Sequence, residues 1–279
     1  MDYDLIVSQG RLADRSPHAL LGARLAGERF ARRYGLRTRK LGTPYPNSAD
    51  GWSHALGQSR ETLTALQNAV SLSLESGRKP LMIANSCVAS LASLPVVARK
   101  RPAAKILWFD AHGDFNTPEI TRSGYLGGMV LAGACGLWKT ESGGGISPRN
   151  LLIVGARDLD PAEAELLTQA GVTVLPPRSA TPEAVAQWAG GGPLWVHIDW
   201  DVLEPGHIPA PYKVNQGLAP DRLKAILEAI PANRVEGLEL AEFEAPDDPE
   251  AREAALRLMI KLTEPLLDPQ TARTAPAAG

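Results

Sequence analysis

The sequence predicts a three-layer α/β fold, a mostly parallel sheet with helices on both faces, and three observations predict it. Short apolar runs without in/out alternation recur along the chain, as expected of strands covered on both sides. Segments between them carry apolar residues at 3,4-spacing, which makes one greasy helix face. The two kinds alternate in βα order, which right-handed crossovers join into a parallel sheet.

In chain order, residues 3–7 form the first apolar run, and Leu63, Leu66 and Val70 line one face of a helix. Residues 80–84, Lys105–Phe109 and Leu151–Val154 follow as strands, then 172–175, 194–198 and 235–240. Leu223, Ile226, Leu227 and Ile230 give a second amphipathic helix between the last two. Gly143, Gly144 and Gly145, and likewise Gly190, Gly191 and Gly192, mark loops; neither triplet has the spacing of a phosphate-binding turn. No internal repeat is visible.

A chain of 279 residues with 44% hydrophobic content has material for one large core. No boundary splits it, so residues 1–268 read as a single domain and the Pro/Ala-rich 269–279 as a frayed tail. A formal net charge of -2 offers no basic field to nucleic acid or anionic lipid, which favours a small-molecule partner. The sequence has neither a membrane-spanning apolar run nor a basic-then-apolar leader, and a cytoplasmic protein is expected. Cys87 and Cys135, its two cysteines, are too few for a disulfide scaffold and fit a reducing compartment.

Chemistry concentrates in Asp110-Ala111-His112-Gly113-Asp114 and Asp199-Trp200-Asp201, each directly after a predicted strand. The C-terminal ends of strands are where open α/β sheets build their sites. Read alone, each Asp-x-Asp is equally a helix N-cap or a turn. Together they would bring four carboxylates and an imidazole to one crevice, where mutual repulsion calls for cations and the oxygen-rich donor set suits Mn²⁺.

DAHGDFNTPE, then SGYLGG, and later HIDWDVLEP resemble the signature of the arginase (ureohydrolase) family over roughly residues 80 to 246. The resemblance implies an α-β-α fold of about eight strands, two manganese ions and hydrolysis of a guanidino C–N bond. It implies that Asp110 and Asp199 bridge the ions, that His112 and Asp201 bind one, and that Asp114 binds the other. Asp114 would also pass a proton to the departing amine, and Glu242 would grip the guanidinium. Two cations would sharpen a water into a nucleophile near neutral pH.

Two departures from the family pattern stand out. Cys87, in Ala84-Asn85-Ser86-Cys87-Val88, occupies the place of a metal-binding histidine, and we expect it as the sixth ligand. A sulfur donor there could draw the site toward zinc or iron; the alternative is a small buried hydrophobe, which would leave one ion weak or missing. Gly127 stands where typical arginases carry a histidine proton shuttle, and His207 is the nearest replacement in sequence.

Counted without gaps from Asp114, Asn116, Thr121 and Ser123 fall where arginases hold the α-carboxylate of arginine, and Asp160 where they receive the α-amino group. These favour an amino-acid guanidine over agmatine. The cysteine and the missing shuttle, with GYLGGMVLAGACGLW, resemble the family branch of antibiotic biosynthesis that hydrolyses Nω-hydroxy-L-arginine to hydroxyurea and L-ornithine. The alternatives are a ureohydrolase for arginine, agmatine, formiminoglutamate or another amidine, and a catalytically impaired ligand-binding member of the fold. Family relatives often assemble as trimers or hexamers, although no segment here announces an interface.

Overall fold

The computed structural model describes residues 2–44, 46 and 48–267, so the tail expected at 269–279 lies outside the described residues. Strands and helices alternate: β1 Tyr3–Ser8, α1 Pro17–Tyr34, β2 Thr38–Leu41, α2 Trp52–Glu75, β3 Lys79–Ile83, α3 Ser90–Lys100, β4 Lys105–Phe109 and α4 Val130–Ala134. They continue with β5 Leu151–Val154, α5 Pro161–Ala170, β6 Thr173–Leu175, α6 Pro182–Ala189, β7 Leu194–Asp199, α7 Pro220–Glu228, β8 Val235–Ala241 and α8 Pro249–Leu267. The eight strands form one sheet in the order β2-β1-β3-β8-β7-β4-β5-β6, and every pairing is parallel.

Both sheet faces are mostly apolar, which is why the strands lack alternation. Leu5, Leu81, Leu107, Leu152 and Val196 point toward α1, α6, α7 and α8, where Phe30, Val185, Leu223 and Met259 meet them. Ile6, Met82, Ile106, Ile153 and Trp195 point toward α2, α3, α4 and α5, against Leu66, Leu91, Val130 and Leu167. Burying each such side chain contributes about 1.5–3 kcal/mol.

The seven sequence-predicted strands are present with ends moved by a residue or so. β2 is the one the sequence reading missed. Among the described residues it pairs with β1 alone, and it exposes Arg39 and Lys40. Charges on an edge strand discourage further pairing, and they also remove the apolar run by which the other strands announce themselves.

The strand order determines where the site lies. β3 and β4 follow one another in sequence, yet β8 and β7 separate them in the sheet. Loops leaving β3 and β4 therefore part, and a crevice opens above the C-terminal ends of the four central strands, as at the switch points of other open α/β sheets.

Candidate metal centre

Four strand ends supply the crevice. After β3 the chain turns into a short 3-10 helix, Cys87–Ala89, whose cap Ser86 accepts the Val88 N–H at 3.3 Å. Cys87 N–H donates to Glu242 Oε1 at 2.8 Å, tying the loop after β3 to the residue after β8. Beyond β4, Asp110 Oδ1 accepts His112 N–H at 2.7 Å and Asp110 Oδ2 accepts Trp108 Nε1–H at 2.9 Å. At the end of β7, Asp199 Oδ1 accepts Asp201 N–H at 2.9 Å, and Asp201 Oδ1 accepts Ala111 N–H at 3.0 Å. Each carboxylate is thus aimed by a neighbouring N–H before any ligand arrives.

Two acids are held in the left-handed region, Asp114 at φ 48° and Glu242 at φ 64°. Such backbone costs on the order of 1–3 kcal/mol per residue and persists where the surroundings enforce it. At Gly113 a Cβ would lie 2.7 Å from Glu163 Oε1. Only glycine lets the loop pass that carboxylate, which accepts Phe115 N–H at 2.9 Å and anchors the segment behind Asp114.

Among the described residues, donor atoms converge in three groups, each lying within 4.8 Å: Cys87, Asp110 and Asp114; Asp110, His112 and Asp201; and Cys87, Asp199 and Glu242. The first two share Asp110. His112 Nδ1 is 3.2 Å from Asp110 Oδ1 and 3.0 Å from Asp201 Oδ2. Cys87 Sγ is 3.2 Å from Asp199 Oδ2.

Without a cation this arrangement is electrostatically unfavourable. Burial, then the charge of Asp110, pushes Asp114 well above the usual carboxylate range. Burial, with Asp201 and Asp110 beside it, does the same to Asp199. Asp201 is pushed up to about 6 by burial and by Asp110, and Glu242 to about 8 by burial, with Asp201 and Asp110 adding to it. Burial and the charges of Asp199 and Glu242 hold the Cys87 thiol well above its ordinary value. His112 goes the other way: burial would lower it, but hydrogen bonds to Asp110 and Asp201 push it up to about 12. That pairing outweighs the effect of burial on Asp110 and holds it below its ordinary value. Asp114 Oδ2 is buried with no hydrogen-bond partner. Crowded acids, an orphaned carboxylate oxygen and two triads sharing one aspartate fit a pair of divalent cations.

The cleft over these groups has a volume of about 390 Å³ and is lined by Cys87, His112, Asp114, Asp199, Asp201 and Glu242 at its floor. Of the residues expected to read the amino-acid end of a substrate, Asn116, Ser123 and Asp160 line it as well. Asn116 Oδ1 is buried without a partner, and Asp160 lies 3.8 Å from Arg122. Thr121 is not among the lining residues. Its hydroxyl accepts Gly124 N–H at 3.1 Å and closes a local turn, which a gap-free count from Asp114 could not reveal. His207 is exposed and lines an adjoining cavity instead.

The sequence reading overlooked Arg15, Tyr125, Tyr212 and Lys213 in the wall of the cleft. Tyr125 covers Gly127: a Cβ there would lie 2.8 Å from the ring's Cζ and 3.0 Å from its hydroxyl oxygen. Ser86 sits beside both the Tyr125 hydroxyl and the Glu242 carboxyl group and moderates the rise that burial imposes on each. Arg15 lies 4.7 Å above the same ring, and Tyr212, at φ 56°, packs 5.1 Å from it. The bulky Tyr125 beside two glycines was the one available signal in the sequence.

Residues 2–266 match the Arginase family. The chain is 49% identical over 270 residues to the Nω-hydroxy-L-arginine amidinohydrolase of Streptomyces lavendulae, covering 97% of this chain and 99% of that one. Arginase from Bacillus subtilis superposes with a TM-score of 0.81 at 22% identity, over 95% of this chain and 98% of its own. An Entamoeba histolytica arginase in complex with L-ornithine superposes at 0.83 and 16% identity, over 95% and 97%. These two likenesses extend to the fold. With its eight-stranded parallel sheet and its match along nearly the whole length, this chain belongs to the arginase family.

Proposed function

We propose that the protein hydrolyses Nω-hydroxy-L-arginine to hydroxyurea and L-ornithine at a two-metal site, with manganese as the native ion. The observation that carries this reading is the near end-to-end 49% identity to a protein named for that activity. The cleft supports it, because the wall at Gly127 is formed by the Tyr125 phenol.

Cys87, Asp110, Asp114 and Asp199 would hold one ion, and Asp110, His112, Asp199 and Asp201 the other. When bound, the pair supplies Lewis acidity, by which water loses a proton near neutral pH. Glu242 opposes the guanidino group with a carboxylate fixed by Cys87 N–H, a charge-assisted contact. Asp114, beside the ions, would take up the proton that the water gives up and pass it to Nδ as the C–Nδ bond breaks. Nδ then leaves as the side-chain amine of ornithine.

At the outer end Asn116 and Ser123 offer hydrogen-bond donors to the α-carboxylate, with Arg15 and Lys213 adding positive charge, while Asp160 receives the α-amino group. Tyr125 and Tyr212 form an aromatic wall that excludes water from the reacting end. A cytoplasmic setting, a role in antibiotic biosynthesis, one domain over residues 1–268 and a homo-oligomeric assembly belong to the same reading. No helix among the described residues is long and apolar enough to cross a membrane, and both cysteines are free thiols.

Steady-state kinetics of manganese-loaded protein on Nω-hydroxy-L-arginine and on arginine, with hydroxyurea and urea measured separately, test the proposal. Preference for the hydroxylated compound with hydroxyurea as product supports it; preference for arginine overturns it.

A further inference from the structure

One level below the acids, the same sheet face carries a second polar row. In the strand register His197 on β7 stands opposite Trp108 on β4 and opposite Glu239 on β8, and all three are fully buried. Their neighbours on this face are Met82, Ile106, Ile153 and Trp195, so an imidazole and a carboxyl group here sit in hydrocarbon. Burying such a pair is unfavourable by several kcal/mol unless hydrogen bonds compensate, and an apolar pair of similar volume would pack at least as well. The fold alone does not require these residues.

Their hydrogen bonds point in one direction. Glu239 Oε2 accepts Ser90 Oγ–H at 2.5 Å and lies 2.9 Å from His197 Nδ1. The tautomer with hydrogen on Nε2, in which Nδ1 accepts from the carboxyl group or from Ser90 Oγ–H, can donate to a metal-bound sulfur, which has no proton of its own. Nε2 is 3.3 Å from Cys87 Sγ. The imidazole lies flat on Trp108, with centroids 3.5 Å apart and planes 5° from parallel, which fixes the ring plane. His197 belongs to none of the three groups of converging donor atoms, so it stands behind the sulfur.

We propose that His197, oriented by Glu239 and Ser90, is a positioning residue that aims the Cys87 sulfur at the metal centre. The proposal rests on the reading of Cys87 as a metal ligand. Cysteine has a single side-chain rotor, so one hydrogen-bond partner behind the sulfur suffices to select its rotamer. The other partner within reach is Asp199 Oδ2 at 3.2 Å, itself expected to hold the ions and therefore unable to steer the sulfur once they bind. Groups that orient a metal ligand from behind typically contribute about 10–100-fold in metal affinity.

Cobalt-loaded protein tests this, because a cysteine sulfur bound to Co²⁺ adds a near-ultraviolet charge-transfer band independent of turnover. The wild type, Cys87→Ser, His197→Phe and Glu239→Gln are compared for band intensity, cobalt affinity and far-ultraviolet circular dichroism. The wild type is expected to show the band and Cys87→Ser to lack it. His197→Phe keeps the stacking and the volume, and should lose most of the band and bind cobalt ~10–100-fold more weakly with unchanged secondary structure. Glu239→Gln should move both in the same direction, and carries the test should the phenylalanine variant fail to fold. Full band and affinity in either folded variant overturns the positioning role while leaving the ligand reading intact. A wild type without the band, or Cys87→Ser retaining it, overturns the ligand reading and the positioning role with it.

Discussion

The hydroxyl oxygen of Tyr125 lies 3.0 Å from where a Cβ at position 127 would stand, so the phenol and any larger residue at Gly127 compete for one volume. Gly127→Ala must push the ring into the cleft. Overpacking of this kind costs about 1–3 kcal/mol, and a displaced ring narrows the substrate path. We expect a lower Tm and a raised KM for Nω-hydroxy-L-arginine, measured by thermal melts and steady-state kinetics. Unchanged values for both would show that the ring yields freely.

Glu242 meets the Cys87 N–H at 2.8 Å and faces the cleft at positive φ. Glu242→Gln keeps the shape and removes the charge. Loss of a charge-assisted hydrogen bond of about 1.5–3 kcal/mol predicts a fall in kcat/KM of roughly 10–100-fold. Metal content should stay at the wild-type level by elemental analysis; a variant that loses metal instead would reassign Glu242 to the ligands.

Cys87 joins two of the three converging groups, whereas His112 belongs to one. Removing its sulfur should weaken the ion shared with Asp114 and spare the one at His112. Cys87→Ser is expected to retain less metal than the wild type after dialysis, with activity falling in proportion. Equal metal in both proteins would assign Cys87 to packing.

Without cations, protein stability should fall as pH rises. Burial and the charge of Asp110 keep Asp201 protonated up to about 6, and burial above all keeps Glu242 protonated up to about 8. In an unfolded chain both lose their protons near about 4. Below that pH their contribution is complete; between it and the folded values the native state binds more protons, so stability declines through that window. His112, pushed up to about 12, acts in the same direction at higher pH, while Asp110, held low, matters only in acid. Chelator-treated protein should therefore melt lower at pH 8 than at pH 5, and manganese should raise Tm more at pH 8. A metal-free Tm that stays level or rises over that interval contradicts the electrostatic picture.

How much of this was legible in the sequence depended on whether a residue's partners lie nearby in the chain. Asp110, His112 and Asp114 share five consecutive positions at the end of an apolar run, and Asp199 and Asp201 share three, so local pattern revealed them. The seven predicted strands were legible because both sheet faces are mostly apolar. β2 was not, since its exposed Arg39 and Lys40 serve an edge strand. Arg15, Tyr125 and Tyr212 meet only through tertiary packing, and nothing local marks the first and last as neighbours. The His197–Glu239 pair was hidden differently, as two polar residues inside runs read simply as strands. Thr121 lies outside the cleft lining and accepts Gly124 N–H within its own turn, a placement that a gap-free count does not show.

Anomalous diffraction at the manganese edge, from crystals grown in saturating manganese, addresses the metal pair most directly. Two peaks are predicted, one among Cys87, Asp110 and Asp114 and the other among Asp110, His112 and Asp201. A single peak, or none at these side chains, would contradict the two-ion centre.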